Sequence, residues 1–455
     1  MAWHLLSLVL LPWAAAPVAL VLGRRPGLGI AIVTALAQLL LTSLSSDDDL
    51  FQAGGVVLVL QPLDRVIVPV IVAAFVVVCL LGERDSRAVA PVGLLVNGAA
   101  VGVALVSSPF LASLFLELAA VGVLFLLPAR TPLPIFLSRE AVAGAKYLAL
   151  TVVSALALLS GFALLETTRI AGETRTVGQV VLALLVVGIW LRLAAFPFHL
   201  WLPDFAGIAP PPAVTLAASV VNVATIVLLL STLSEAPWLV LPERNRQVIA
   251  ALAALGALGG ALLALNARDG RRLVAYGASA ELGFVLFGIS LGSPTSVAAA
   301  TSLLVANVIA VLLFWGLIAQ IERHVGSTEF GAMRGLITQL PGTALAFLGA
   351  ALTAGGVPLF ASFPGRWIVF RVGADAAAGL TLLLLLANLM LLLAYWRAFR
   401  ALFLGRPSAE VVPRGSERAT LWLSLLIAAS AVLGAAPWLL LEPIRAAVAG
   451  LAFLQ

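Results

Sequence analysis

The chain has 455 residues, 62% hydrophobic and 10% charged, with a mean hydropathy of +1.14; soluble domains carry about one quarter charged residues, so a water-soluble fold is excluded. A membrane helix needs about 20 apolar residues, and this composition therefore predicts a polytopic membrane protein. The 26 basic and 21 acidic residues give a net charge of +5, but the basic groups are scattered over short loops without aromatic platforms, which marks them as topology signals and excludes a nucleic-acid partner.

Apolar runs between charged or Pro/Gly-rich breaks predict about fourteen spans. In chain order they cover residues 3–22, 27–45, 64–82, 88–107, 110–128, 141–165, 177–197, 211–233, 246–266, 272–292, 295–321, 342–371, 376–401 and 420–440. Runs such as 177–195 and 380–395 are apolar on every face, unlike the alternating short strands of an outer-membrane barrel. The predicted fold class is an all-α polytopic membrane protein. Arg24 and Arg25 follow the first apolar run instead of preceding it, so that run reads as a span and not as a signal peptide. The single Cys79 lies inside the third run, which leaves no intramolecular disulfide framework and no thiolate cluster. Asp47, Asp48 and Asp49 read as a solvated turn.

Alternate loops differ in charge. One set holds Arg24, Arg25, Arg84, Arg87, Arg130, Arg139, Arg268, Arg271, Arg272, Arg323 and Arg334, then Arg397, Arg400, Arg406, Arg414 and Arg418; the other holds only Arg65, Arg169, Arg175, Arg244, Arg246 and Arg371, with Arg445 in the tail. The positive-inside rule assigns the first set to the cytoplasm, which puts both termini on the periplasmic side and requires an even number of spans.

Two regions interrupt the helical pattern in corresponding parts of the two halves. One is Arg192-Leu-Ala-Ala-Phe-Pro-Phe-His199, with Pro197; the other is Gly355-Gly-Val-Pro358, continuing to Phe363-Pro-Gly-Arg366, with Pro364. Proline removes a helix hydrogen bond and clashes with the preceding turn, and freed carbonyls at membrane depth are tolerated only inside protein or beside a cavity. Paired interruptions suggest inverted repeats around a transport path, with Pro kinks that serve only packing as the plainer alternative.

Ionisable groups inside apolar spans are the candidate functional residues. Glu117 stands mid-span, where a charge costs at least about 3 kcal/mol on insertion scales and calls for a partner or a proton. Lys146 is the only lysine beside 25 arginines. Arginine stays protonated, whereas a desolvated lysine can give up its proton; Lys146 is therefore a candidate proton carrier, or else a lysine snorkelling to the interface. Arg192 is expected to pair with Glu117, and Arg366 to satisfy freed carbonyls or a carboxylate. Glu281 is a second buried carboxylate without a partner nearby in sequence. Asn222 and Asn307 read as interhelical hydrogen-bond glue or as members of a water chain, and His199 as a structural cap or a proton-transfer group. His4 and His324 read as interfacial. There is no Gly-rich phosphate loop, no Cys/His cluster and no His–Glu pair at metal spacing, so no cofactor and no metal are predicted, and redox chemistry lies outside this chain.

The run from Arg192 to Asp204, Arg-Leu-Ala-Ala-Phe-Pro-Phe-His-Leu-Trp-Leu-Pro-Asp, with Ala209-Pro-Pro-Pro212 after it, resembles the signature of the antiporter-like proton-translocating subunits of respiratory complex I. That family is shared with multi-subunit cation/proton antiporters and membrane-bound hydrogenases. Further matches are Leu114-Phe-Leu-Glu-Leu118, Ala145-Lys-Tyr147, Asp269-Gly-Arg-Arg-Leu-Val-Ala-Tyr276 and the two parts of the second break. The resemblance is strongest to the smaller members. It implies fourteen helices, with helices 7 and 12 broken: an N-terminal three-helix segment (1–87), two inverted five-helix repeats (88–233 and 246–401) and a C-terminal loop and helix (402–455).

By position in that resemblance, Glu117 corresponds to the carboxylate that modulates a lysine, and Arg192 stands in that lysine's place. Asn222 falls where a central lysine is usual, Glu281 where His or Gln is common, and Arg366 where the smaller members have lysine. Arg cannot cycle through a neutral state and Asn carries no titratable proton, so the implied lysine relay is weakened or rerouted. The expected function is proton conduction in the bacterial inner membrane as a subunit of a complex I-type NADH–quinone oxidoreductase. Its partners would be other membrane subunits and lipid, with NADH and quinone handled only by other subunits. A structural spacer without transport, or a subunit of a cation/proton antiporter or hydrogenase-like complex, are the alternatives.

Overall fold

The computed structural model describes residues 2–46, 49–82, 86–127, 139–171, 175–199, 201–239, 242–330, 334–406 and 417–454. Asp47, Asp48, Arg84, Arg130, Leu200 and Arg414 from the predictions above lie outside the described residues. Contacts group the chain into two units: unit 1 comprises Met1–Ala194, Ile208–Asn245 and Ala446–Gln455, and unit 2 comprises Ala195–Gly207 and Arg246–Arg445.

Unit 1 begins with helices α1 (Trp3–Leu22) and α2 (Arg24–Leu44), then a hairpin of β1 (Leu50–Ala53) and β2 (Val56–Val59). Helices α3 (Asp64–Gly82), α4 (Val89–Leu105), α5 (Pro109–Leu124), α6 (Arg139–Ala171) and α7 (Arg175–Arg192) follow. The short α8 (Trp201–Ile208) belongs to unit 2 up to Gly207; unit 1 resumes with α9 (Pro211–Leu216), a π turn over Ala217–Val221, and α10 (Asn222–Glu235). The hairpin departs from the all-helical expectation. Gly54 and Gly55 both have positive φ, +57° and +81°, the conformation a two-residue hairpin turn demands, and it aligns Leu50 with Val59 and Ala53 with Val56.

Helix α4 is buried on nearly all sides, as an all-apolar helix at the centre of a bundle should be. It packs against α1, α3 and α5. Its one strongly polar side chain, Asn97, donates to Gln38 Oε1 on α2 at 2.7 Å, and Gln38 donates to the Leu8 carbonyl on α1 at 2.8 Å. Interhelical bonds of this kind fix helix pairing where lipid and side chains are equally apolar.

Unit 2 contains α11 (Glu243–Asn266, from Arg246 onward), α12 (Gly270–Ser290), α13 (Pro294–Val325), α14 (Leu336–Gln339), α15 (Pro341–Ala354), α16 (Ser362–Ala376), α17 (Ala378–Phe403) and α18 (Glu417–Ala435), followed by α19 (Trp438–Val448). Its hub is α13, which packs against α12, α15, α16 and α18. A Ser293–Ser296 capping box, Pro294 in the first turn and Gly326 at φ +80° delimit this helix, each residue supplying what a helix end requires.

Among the described residues, nine helices are long and apolar enough to cross a membrane, and the bent pair Ala419–Ala435 with Trp438–Val448, angled by 69°, makes a tenth. Val89–Leu105, Pro109–Leu124, Val177–Arg192 and Pro341–Ala354 are shorter apolar helices. The chain is a multi-pass helical membrane protein. The predicted twelfth span, 342–371, consists of α15 and α16 with a break between them, and the predicted eighth contains the π turn.

Candidate functional site: buried ion pairs beside two helix breaks

In unit 1, Ser108 accepts a bond from Leu111 N and Pro109 occupies the first turn of α5, which starts this helix two turns before Glu117. Helix α7 ends at Arg192, and Ala194 then turns the chain with φ +50°. Arg192 Nη2 donates to Glu117 Oε1 and reaches the Thr151 carbonyl of α6 at 3.5 Å. The side chains are 3% and 17% exposed, so each charge relieves the other in a medium where either alone is costly. Around the pair, Tyr147 OH donates to the Ala120 carbonyl at 2.9 Å and Ser154 Oγ to the Gly188 carbonyl at 2.7 Å, tying α6 to α5 and α7.

Lys146 is placed differently. It is exposed, in the outward row of α6 that includes Val142, Ala149 and Val153, while its neighbour Tyr147 faces inward. Asn222, expected to join helices, donates to the Ala218 carbonyl of its own turn at 3.2 Å. It follows the π turn directly, and the local widening of such a turn leaves backbone carbonyls that a side-chain amide can satisfy.

The second break lies within unit 2. Gly356 has φ +66° and Leu359 φ +75°, which with Pro358 turns the chain between α15 and α16. Hydroxyls satisfy the peptide groups that this break releases: Ser362 Oγ donates to the Thr353 carbonyl, Ala361 N donates to Ser430 Oγ at 3.2 Å, and Thr353 and Ser430 share a bond of 2.8 Å. Pro364 stands in the first turn of α16, where its missing N–H costs nothing. A side chain at Gly356 would put its Cβ 2.6 Å from Arg366 Cδ, so glycine there lets the arginine lie against the backbone.

Arg366 is the centre of this second site. Its Nη2 donates to Glu281 Oε2 of α12 and, at 2.9 Å, to the Ala354 carbonyl at the end of α15. Its Nη1 donates to Asn388 Oδ1 of α17, and its Cζ lies 4.4 Å from the Phe284 ring centroid. The two alternatives for Arg366, freed carbonyl or carboxylate, are both realised. Glu281, without a partner nearby in sequence, has one 85 positions away. Both side chains are buried, 2% exposed for Arg366 and 5% for Glu281.

His199 belongs to the segment 195–207 of unit 2. Its ring stacks on Phe196 at 5.2 Å and lies 6.1 Å from the Tyr276 ring; Pro197 lies between the two stacked residues in sequence. Arg271, a loop charge in the sequence reading, is held by both oxygens of Glu322 and by the Ala206 carbonyl at 2.9 Å. Asn307 is buried on α13. Sequence reasoning missed Asn388 and Phe284. Asn388 had a signal, as the one amide in the leucine-rich run of α17; a phenylalanine among apolar neighbours had none. Among the described residues, no group of three or more His, Cys, Asp or Glu side chains is placed to hold a metal ion.

A multi-pass helical protein with buried carboxylate–guanidinium pairs beside helix breaks is the class that this fold and these sites define. The chain belongs to the NADH:quinone oxidoreductase/Mrp antiporter transmembrane family, whose model matches residues 108–393. It is 30% identical to NADH-quinone oxidoreductase subunit N of Cereibacter sphaeroides over 472 aligned positions, covering 98% of each chain. It is also 30% identical over 244 positions to subunit N of Hirschia baltica, a match that spans about half of each, 51% and 51%. Among solved structures, its fold matches a chain of respiratory complex I from Thermus thermophilus with a TM-score of 0.86 at 21% identity, covering 99% of this chain and 100% of that one. A chain of the Mrp complex from Dietzia sp. matches with a TM-score of 0.87 at 18% identity, covering 100% of both.

Proposed function

We propose that the chain is a proton-conducting membrane subunit of a complex I-type NADH–quinone oxidoreductase, working beside other membrane subunits while NADH and quinone are handled elsewhere in the complex. The observation that carries this reading is the repeated device: at each break a buried arginine holds a buried glutamate, Arg192 with Glu117 and Arg366 with Glu281. Ionisable groups this deep in a membrane protein mark ion or proton routes. Full-length similarity to a protein named as subunit N supports the same assignment.

The guanidinium groups keep their protons at any accessible pH, so in this reading they set the field and the carboxylates Glu117 and Glu281 carry the exchangeable protons. Lys146, on the outward face of α6, is the titratable cation for a step between this chain and its surroundings. Asn222 and His199 contribute as polar or proton-transferring members of the route. Fourteen spans, inverted repeats over 88–233 and 246–401 between the flanking segments 1–87 and 402–455, and both termini in the periplasm of a bacterial inner membrane complete the proposal. Labelling a cysteine placed at Arg406 from the cytoplasmic side only supports that orientation; labelling from outside only overturns it.

A second reading is favoured by one specific observation. Arg192, Arg366 and Asn222 occupy positions where a lysine relay would stand, and none of the three can release and rebind a proton in the working range. A chain so built would be a fixed electrostatic spacer. Proton uptake per NADH oxidised, measured with the intact complex in sealed vesicles, separates the two. Glu117→Gln and Glu281→Gln together should lower the ratio while electron transfer continues; an unchanged ratio is the outcome of the spacer.

A further inference from the structure

Between α15 and α17, within unit 2, runs a groove of about 310 Å³ lined only by apolar and aromatic side chains. Phe347 and Tyr395 form its buried floor, while Leu393 and Trp396 on its rim are 47% and 52% exposed. The helices are antiparallel here. Leu392 touches the position of Gly355, and the Phe347 ring lies tilted against those of Phe399 and Phe403, with centroids 6.1 and 5.5 Å away. The groove therefore follows the helix axes toward the C-terminal end of α17.

At that end the character of the surface changes. Leu392, Trp396 and Arg400 recur at four-residue intervals and so share one face of α17, with Arg400 about 6 Å beyond Trp396 along the axis. Arg400 is exposed, and its guanidinium has no hydrogen-bond or ion-pair partner among the described residues. Its neighbour Arg397 is engaged, bonding the Ala267 carbonyl and lying 5.7 Å from the Phe330 ring centroid. Arg334 and Arg406 are exposed near the same end, Arg334 beside Gly405.

An apolar groove facing hydrocarbon selects nothing by itself, because lipid tails are as apolar as its lining. Selection needs the cation at its end. An aromatic side chain followed by arginine at a helix terminus is the arrangement found at headgroup depth, and an uncommitted guanidinium matches a phosphodiester in charge and in donor geometry. We propose that this groove is a binding site for one anionic phospholipid, with an acyl chain along Phe347, Leu352 and Trp396 and the headgroup phosphate on Arg400. The site stands independently of the proton-conducting reading, since none of its residues belongs to either ion pair.

The test uses the intact complex in vesicles doped with phosphatidylglycerol or phosphatidylcholine carrying a photoreactive group in the acyl chain, with adducts mapped by mass spectrometry. Peptides containing Leu352 and Trp396 should be labelled about five-fold more by the anionic probe, the ratio expected for one arginine near a negatively charged headgroup. Arg400→Gln, an exposed change that leaves the packing intact, should bring the two probes to parity. Ala351→Phe should fill the groove and remove labelling by both there, while adducts elsewhere persist. Equal labelling of the unaltered protein by the two probes overturns the proposal, as does anionic preference that survives Arg400→Gln. Absence of labelling of these peptides by either probe, as when a neighbouring subunit covers the face, overturns it as well.

Discussion

Glu281 and Arg366, 85 positions apart in the chain, meet as a buried ion pair that also engages Asn388 and the Ala354 carbonyl. Helices α12, α15, α16 and α17 thus converge on a single guanidinium. Breaking such a pair leaves one charge unneutralised, at a cost of about 3–5 kcal/mol, whereas replacing both members with apolar groups is often neutral or stabilising. Arg366→Met should therefore lower the melting temperature in detergent strongly, and Arg366→Met with Glu281→Leu should recover most of the loss. Equal losses in the single and double variants would show that the pair contributes through packing of the arginine stem instead.

Much of this architecture is legible in the sequence because hydrocarbon imposes one rule: backbone groups must be satisfied internally, so spans announce themselves as long apolar runs. Glu117, Arg192, Glu281 and Arg366 stand out for the same reason, as charges where charge is expensive. Partner choice is less legible. Pairing of Glu117 with Arg192 follows from two lone opposite charges in apolar spans, the fifth and the seventh, but Glu281 with Arg366 depends on helices α12 and α16 packing against the same hub, α13. The π turn before Asn222 and the outward direction of Lys146 depend on helix phase, which a helix apolar on all faces does not encode. The β-hairpin was hidden because its four-residue strands are too short to register against the surrounding helices, although Gly54-Gly55 carried the turn signal.

Leu359, at φ +75°, sits in the left-handed region inside the second break, as Ala194 does, at φ +50°, after α7. A non-glycine residue there costs about 1–2 kcal/mol, and glycine returns about 0.4–1 kcal/mol of that through the freedom of the unfolded chain. Leu359 is 66% exposed and Ala194 is fully buried, so the leucine gives up little packing and the alanine loses a buried methyl. Leu359→Gly should accordingly raise the melting temperature modestly, and Ala194→Gly should leave it near the wild-type value. Destabilisation by Leu359→Gly would mean that its exposed side chain is packed against a partner in the membrane.

Asp49 lies outside the spans, between α2 and β1. Its Oδ2 accepts from the Ser46 backbone N–H at 2.7 Å and faces His4 Nε2 at 2.9 Å. The Ser46 amide, more than the imidazole, holds the carboxyl below the usual carboxylate range. A lowered folded value means that the unfolded chain takes up the proton first, so this turn contributes fully above the ordinary carboxylate range and loses its contribution as pH falls through the lowered value. The stability difference between the unaltered protein and Asp49→Asn should shrink in strong acid, as pH falls through the lowered carboxyl value. A difference that persists undiminished in strong acid contradicts the assignment.

Lys146 offers the sharpest test of lysine-specific chemistry. It occupies the exposed row of α6, one residue from Tyr147, which is fixed inward by the Ala120 carbonyl, so substitutions at 146 need not disturb the Glu117–Arg192 pair. Arginine preserves the charge, the snorkelling reach and the compatibility with insertion, but not the ability to release a proton; methionine removes the charge as well. If Lys146 exchanges protons with its surroundings, Lys146→Arg should reduce proton uptake per NADH in vesicles nearly as much as Lys146→Met, with assembly of the complex unchanged. If it only anchors α6 at the interface, Lys146→Arg should pump normally while Lys146→Met assembles poorly. The first pattern assigns the lysine to the proton route; the second leaves the carboxylates Glu117 and Glu281, with His199, as the titratable groups proposed for it.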